Sequence, residues 1–419
     1  MNLSRARSSG LPLVAAFVRA VRASIAALLV AATVGGPNPA RADEGEWPPD
    51  RLATLGDAFW TAWRQRGLAL GATDLWDGRG GGLATAAVAL RGCSAAFVSP
   101  DGLLLTNHHC AFEALALAST PGRDYLKDGF VSHGRAGEVE ARGGASRVWV
   151  LARTEDVTGR VRGPGSAFAR AGGDRERFRA VERARKELVA ECEARPDRRC
   201  LVVPFLDGLS WVREEQVELR DVRLVYAPPR DVGDFGGEVD NFRWPRHAGD
   251  FAVLRAYVAP DGSPAPFSAA NVPYRPKAWL PVSTSGVKEG DALAILGYPG
   301  KTQRFLTAAA VDDLEGWFYP LRARTLGDLI GILERETEGD PAASLKVASA
   351  VKGFNNSRTN ALGQIEGLKR NGVAARARRE EERLSAWLAS RPDAPPSWRS
   401  APRDVEAVLA RDRQGRDRQ

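Results

Sequence analysis

Two stretches of the sequence hold side chains whose types and spacing could move a proton. The first is Gly92-Cys93-Ser94-Ala95-Ala96-Phe97 followed by Leu105-Thr106-Asn107-His108-His109-Cys110. It reads as a strand, a Ser99-Pro100-Asp101-Gly102 turn and a second strand, ending in histidine beside cysteine. A Cys93–Cys110 bridge would tie the two strands across the imidazole and fix it, as aligned proton transfer by a general base requires. A purely structural histidine beside a disulfide would leave the same pattern. Either His108 or His109 could be the base, and His109, next to the cysteine, is favoured.

The second stretch, Phe235 to Phe251, supplies the acid that would orient such a base. Asp250 opens an apolar strand, a place where its carboxylate could be buried against an imidazole. Asp234, Glu238 and Asp240 are rivals expected to be solvated. His247 could be a second base or a metal ligand, but with four histidines in the chain no metal site and no cofactor are expected. The four cysteines, Cys93, Cys110, Cys192 and Cys200, form an even set. Sequence order favours Cys93–Cys110 and Cys192–Cys200, with nested or crossed pairings formally open. A zinc site lacks paired C-x-x-C spacing.

The elements that must position these groups follow from length and pattern. The chain has 419 residues, more than one typical domain. Arg5, Arg7, Arg19 and Arg22 precede an apolar run from Ile25 to Val34 and an Ala40-Arg41-Ala42 cleavage site. Residues 1–42 therefore read as a secretory signal peptide, too short in its apolar run to span a bilayer. Its removal takes away five arginines and no acid, leaving 54 basic against 52 acidic residues, net +2. That balance gives no support for nucleic-acid binding. A periplasmic or secreted location is expected, with no membrane contact after cleavage, and disulfides suit it.

Leu52–Arg66 looks helical, then Gly78-Arg79-Gly80-Gly81-Gly82 breaks the pattern. Leu83–Leu90, Ala95–Ser99 and Leu103–Thr106 read as a β-meander. Phe178, Val181, Leu188 and Cys192 recur at helical spacing among charges, predicting an amphipathic surface helix over 174–195. Strand signals return at Leu201–Phe205, Glu214–Tyr226, Phe251–Val258 and Ala292–Leu296. Beyond Arg304 the composition turns helical, with candidates at Val311–Phe318, Leu326–Glu336 and Leu362–Leu388. A boundary between a β domain and an α domain is placed near residue 303. Residues 397–419, rich in Pro, Arg and Asp, are expected to be a disordered tail.

Four stretches carry a specific resemblance: Glu44-Gly45-Glu46-Trp47, LLLTNHHC (103–110), FGGEVDNFRWPRHAGDF (235–251) and LGYPGKTQRFLT (296–307), with a weaker fifth in Asn356 to Lys369. On these, from about residue 44 to 390, the chain resembles the bacterial dipeptidyl-peptidase 7/11 family of periplasmic serine exopeptidases. The resemblance implies a mixed, mainly β fold: a chymotrypsin-like double β-barrel with an α-helical cap domain, here residues 43–302 and 303–396. It implies catalytic roles for His109 and Asp250, and binding of the substrate α-amino group by Asn241, Phe242 and Asn356. Phe242 stands where the family usually has Trp. The implied partners are peptides with a free N-terminus, and the implied assembly is a homodimer. Asparagine carbonyls would accept hydrogen bonds from the ammonium group.

The family's nucleophilic serine lies in a Gly-Asn-Ser-Gly-Ser-like turn after the helical region, and no such turn is found here. Ser285-Gly286 lacks the preceding glycine, Ser94 belongs to the histidine staple, and Ser166 lies in a Gly-Pro-Gly-Ser loop. The second barrel is expected to be incomplete and the chain inactive by itself. The alternative expectation is a non-catalytic periplasmic module that binds peptide N-termini. Side-chain preference is not legible.

Overall fold

The computed structural model describes residues 47–416 apart from 121, 196, 238–244, 301–302 and 304–305. Residues 1–42, expected to be a signal peptide, and Asn241 and Phe242 lie outside the described residues. The elements named here belong to one unit, residues 45–287 and 291–419.

Short strands with alternating burial pair into one antiparallel sheet. They are β1 (Ala87–Leu90), β2 (Cys93–Phe97), β3 (Leu103–Thr106), β4 (Phe130–Val131), β5 (Val139–Glu140), β6 (Val148–Asp156), β7 (Arg198–Phe205), β8 (Ser210–Leu219), β9 (Asp221–Ala227), β10 (Ala252–Val258) and β11 (Val272–Pro273). β1 pairs with β2, β2 with β3, β3 with β10 and β10 with β9. On its other edge β1 pairs with β6, and β6 with β8. Arg220 alone separates β8 from β9, so the ladder returns to its start. Counting β8–β9 as one bent strand, six strands close a ring. Val88, Phe97, Leu104, Val148, Leu219, Leu224 and Leu254, drawn from all six, are fully buried inside it. A ring this small is filled by its own side chains, each large one contributing roughly 1.5–3 kcal/mol of burial.

Between β6 and β8 the chain leaves the ring through the helix Asp174–Glu193 and the β7–β8 hairpin. This excursion has its own small core of Val157, Val161, Leu188, Val202 and Trp211, closed by the Cys192–Cys200 disulfide. The helix matches the sequence reading, except that Phe178 points out and is exposed.

Helices follow at Ala308–Asp313, Tyr319–Glu336, Pro341–Arg370, Val373–Ala389 and Pro396–Arg416, with a π turn at Leu314–Phe318. The single helix expected over Leu362–Leu388 is two helices. Gly372 adopts φ +56° between them, the left-handed stop that glycine takes at little cost. The expected Leu52–Arg66 helix divides at Gly56 into a 3₁₀ turn, Pro49–Thr54, and a helix, Asp57–Gln65.

Two expectations are overturned. Residues 396–416 form a helix rather than a disordered tail, because Arg413 and Arg416 both pair with Asp313 and the Arg416 guanidinium lies 3.7 Å from the Trp317 ring centroid. Ala292–Leu296 forms no strand. The Ala292 amide donates to the Arg66 carbonyl, and no described strand pairs with the segment. Ile295 is 99% exposed. Alternation marks a segment that can pair, but pairing needs a neighbour. Among the elements that went unread in the sequence are β6, whose alternating Val148 and Val150 were the available signal, and the helix His108–Ala118.

Candidate active site

β3 ends at Thr106, and Asn107 turns the chain into the helix His108–Ala118. His109 is therefore a first-turn residue, with a backbone N–H that no residue of its own helix can satisfy. The Asn107 side chain does not cap the helix. Asp250 does so from 141 residues away: its Oδ1 accepts from the His109 N–H at 3.1 Å, and its Oδ2 lies 2.9 Å from His109 Nδ1. One carboxylate thus caps the helix, where the dipole favours negative charge, and fixes the imidazole. β10 begins at Ala252 and pairs with Thr106, which brings Asp250 to the end of β3.

Three further contacts hold Asp250. Asn107 Nδ2 donates to its carbonyl oxygen and to Oδ2, both at 3.1 Å, and an Arg246 guanidinium nitrogen lies 3.7 Å from Oδ2. Burial by itself would raise the Asp250 carboxyl. The His109 side-chain and backbone hydrogen bonds, with the charges of His109 and Arg246, outweigh it and hold the group below the usual carboxylate range. The Asp250 side chain is 13% exposed and that of His109 55%. The buried acid therefore faces a half-exposed ring. With Nδ1 committed to Asp250, Nε2 is the nitrogen able to take a proton.

The Cys93–Cys110 disulfide ties β2 to the start of the same helix. Cys93, His109 and Cys110 are the one cluster of metal-type donors among the described residues, but both sulfurs are consumed by the bridge.

The neighbouring His108 has a different environment. It is buried among the loop after β9, and burial pushes its imidazole down despite the nearby Asp250 carboxylate. A Cβ on Gly233 would collide with the His108 ring, so this approach requires glycine. Gly233→Ala is expected to lose about 1–3 kcal/mol through overpacking, with the ring unable to retreat into the core. Urea denaturation checks this, and an unchanged midpoint would show that the contact yields freely.

Of the other sequence candidates, Asp234 is not simply solvated: it pairs with Lys352 at 2.6 Å. His247 is exposed. Glu238, Asp240, Asn241 and Phe242 lie outside the described residues. Asn356 sits on the Pro341–Arg370 helix, at an exposed position. Nothing in the sequence signalled that Asn107, inside the TNHHC block, and Arg246, inside the 235–251 block, would hold Asp250.

None of the serines weighed in the sequence meets His109. Ser94 Oγ accepts from the Tyr298 N–H at 2.7 Å, Ser166 caps a short helix, and Ser285 hydrogen-bonds to Ser283. Among the described residues, no hydroxyl is hydrogen-bonded to the His109 imidazole.

Known proteins share this arrangement of chain. An Asp/Glu-specific dipeptidyl-peptidase of Shewanella putrefaciens is 35% identical over 364 residues, 87% of this chain and 48% of its own. A dipeptidyl-peptidase 7 of Capnocytophaga gingivalis is 34% identical over 85% of this chain and 49% of its own. The crystal structure of Porphyromonas endodontalis DPP11 in complex with the dipeptide Arg-Asp superposes with a TM-score of 0.75 at 30% identity, covering 90% of this chain and 54% of that one. The chain spans about half the length of the curated relatives it matches. The family described as Peptidase S46 matches residues 42–419, and with these relatives and that superposition the chain belongs to the Peptidase S46 family.

Proposed function

We propose that this chain carries the base-and-acid half of a serine-type dipeptidyl-peptidase that releases dipeptides from free N-termini. The observation that carries the reading is the 2.9 Å contact between His109 Nδ1 and the buried Asp250 carboxylate, at the end of a closed ring of strands. His109 Nε2 takes the proton of an attacking hydroxyl and returns it to the leaving amine. Asp250 holds the tautomer with Nδ1–H and stabilises the imidazolium that forms. Asn241, Phe242 and Asn356 hold the substrate ammonium group, so that the dyad counts two residues from the end.

In this reading the ring of strands is the first of two chymotrypsin-like barrels. The exposed apolar run around Ile295 belongs to the second, and the helices after Ala308 cap the cleft. None of the serines weighed in the sequence meets His109, and in this reading the chain by itself does not turn over. It works after export, with its signal peptide removed, and pairs as a homodimer. No described helix is long and apolar enough to cross a membrane.

A second reading, favoured because no described hydroxyl is hydrogen-bonded to His109, is a module that binds peptide N-termini without cleaving them. One pair of experiments tests both. Calorimetry should give binding of a free N-terminal peptide at least about tenfold tighter than its N-acetylated form, since acetylation removes the charge-assisted donors. Equal affinities would rule out amine recognition. Dipeptide–fluorophore substrates should show no turnover above background, and robust hydrolysis surviving His109→Ala would contradict the role of the imidazole.

A further inference from the structure

The loop between β9 and the 238–244 stretch carries charges that the dyad does not use. Asp234 Oδ2 accepts from Lys352 Nζ at 2.6 Å and lies 3.9 Å from the Arg230 guanidinium. Lys352 comes from the Pro341–Arg370 helix, 118 residues away in sequence. Its ammonium also lies 5.0 Å from the ring centroid of Phe112, and Arg230 sits 6.0 Å from the same ring. Phe112 belongs to the helix that starts with His108 and His109, and its ring stands edge-on to that of His108. A single ammonium therefore touches the loop leading into Asn241 and the helix carrying the base, and it is itself anchored in the helical region. Both partners are only about a quarter exposed, 27% for Lys352 and 26% for Asp234, so solvent screens the pair less than an open surface contact.

Helical spacing extends the consequence. Asn356 is four residues beyond Lys352, one turn further along the same face. Whatever fixes Lys352 against Asp234 and Phe112 fixes the placement of Asn356 relative to the base helix. We propose that Lys352 is a positioning residue: its pair with Asp234 clasps the Pro341–Arg370 helix to the His108–Ala118 helix and sets the span from Asn356 to the His109–Asp250 pair. The clasp rests on the amine-binding reading given above, and it makes that span the length of peptide the site accepts. The cation over Phe112 adds a directional contact that a bare ion pair lacks.

Hydrogen exchange and calorimetry on the full chain test the proposal. Lys352→Met keeps the aliphatic stem and removes the charge. It should speed amide exchange in the 341–370 helix about fivefold while the ring strands exchange as before, and weaken binding of a free N-terminal tetrapeptide by about the same factor. Lys352→Arg should restore both. Asp234→Asn should reproduce the loss, and the double variant should be no worse than either single one, as expected for one shared contact. Unchanged exchange in Lys352→Met, or losses that add in the double variant, would overturn the clasp. If the unaltered chain binds free and N-acetylated peptide equally, the amine reading falls and the span with it, even where exchange shows that Lys352 holds the helix.

Discussion

Asp221→Ala is expected to cost about 3–5 kcal/mol of unfolding free energy, the penalty for leaving a buried cation without its counter-charge. Asp221 is fully buried at the start of β9. It accepts from Arg223 Nε at 2.9 Å and from a terminal Arg223 nitrogen at 2.7 Å, and from Asn271 Nδ2 at 2.9 Å. Arg223 also donates to the Ser268 carbonyl and lies 3.8 Å from the Tyr257 ring centroid. Its hydrogen bonds with Asp221 push the guanidinium up, and even without them an arginine has no accessible neutral form to retreat to once the carboxylate is gone. The network continues: Tyr257 donates to Glu138 at 2.7 Å, and Arg255 donates to the same carboxylate at 2.9 Å. Burial and then the Glu138 carboxylate push the Tyr257 hydroxyl up to about 12, keeping it a donor throughout the physiological range. This cluster pins β9 and β10 at the end of β10 remote from Asp250, and so fixes the register that delivers Asp250 to His109. Urea denaturation followed by tryptophan fluorescence gives the number. Arg223→Met in the Asp221→Ala background should recover part of the loss, because it removes the stranded charge. A loss below about 1 kcal/mol for Asp221→Ala would show that water reaches the arginine and replaces the carboxylate.

The groups that meet at the site were legible because each is a chemical type in a local pattern. His109 stands beside a cysteine after a strand, and Asp250 stands at the head of another. The antiparallel pairing of β10 with β3, which no local pattern announces, places both at the same end of adjacent strands. Nothing local says that Asp250 also caps the helix of His109, since the capping oxygen comes from 141 residues away. The same limit hid Asp234, which read as a solvated rival and proved to be paired across 118 residues. Periodicity erred where it lacked a partner or a stop. Leu293 and Ile295 alternate as a strand should, yet no described neighbour takes up their hydrogen bonds. Gly372 cuts one apolar stripe into two helices. The Pro-, Arg- and Asp-rich end was judged by composition, although its arginines find Asp313 and Trp317 about a hundred residues upstream. The choice between His108 and His109 shows the same division: sequence named the pair, and packing separates them. One ring is half-exposed against a carboxylate, whereas the other is buried beneath Gly233.

Removing the Cys93–Cys110 disulfide should separate two consequences that the fold joins. The bridge spans 17 residues, and closing such a loop in the unfolded chain is worth about 3 kcal/mol. The paired Cys93→Ala and Cys110→Ala substitution should lose roughly that much stability in urea. The Cys192–Cys200 bridge spans 8 residues, and its paired alanine variant should lose about 2.5 kcal/mol by the same chain-entropy argument. The two variants are therefore nearly matched in stability, but they differ in what they hold. Cys110 follows His109 directly, so loss of its bridge frees the first helical turn and the ring on it. Cys192 and Cys200 brace only the excursion between β6 and β8. Nitrogen-15 spectra of the imidazole should keep a dominant Nδ1–H tautomer for His109 in the unaltered chain and in the 192–200 variant, and a mixture in the 93–110 variant. An unmixed His109 tautomer in both would mean that Asp250 and the helix cap suffice to orient the imidazole. Stapling of the imidazole, the feature from which the sequence reading began, would then be a matter of stability alone.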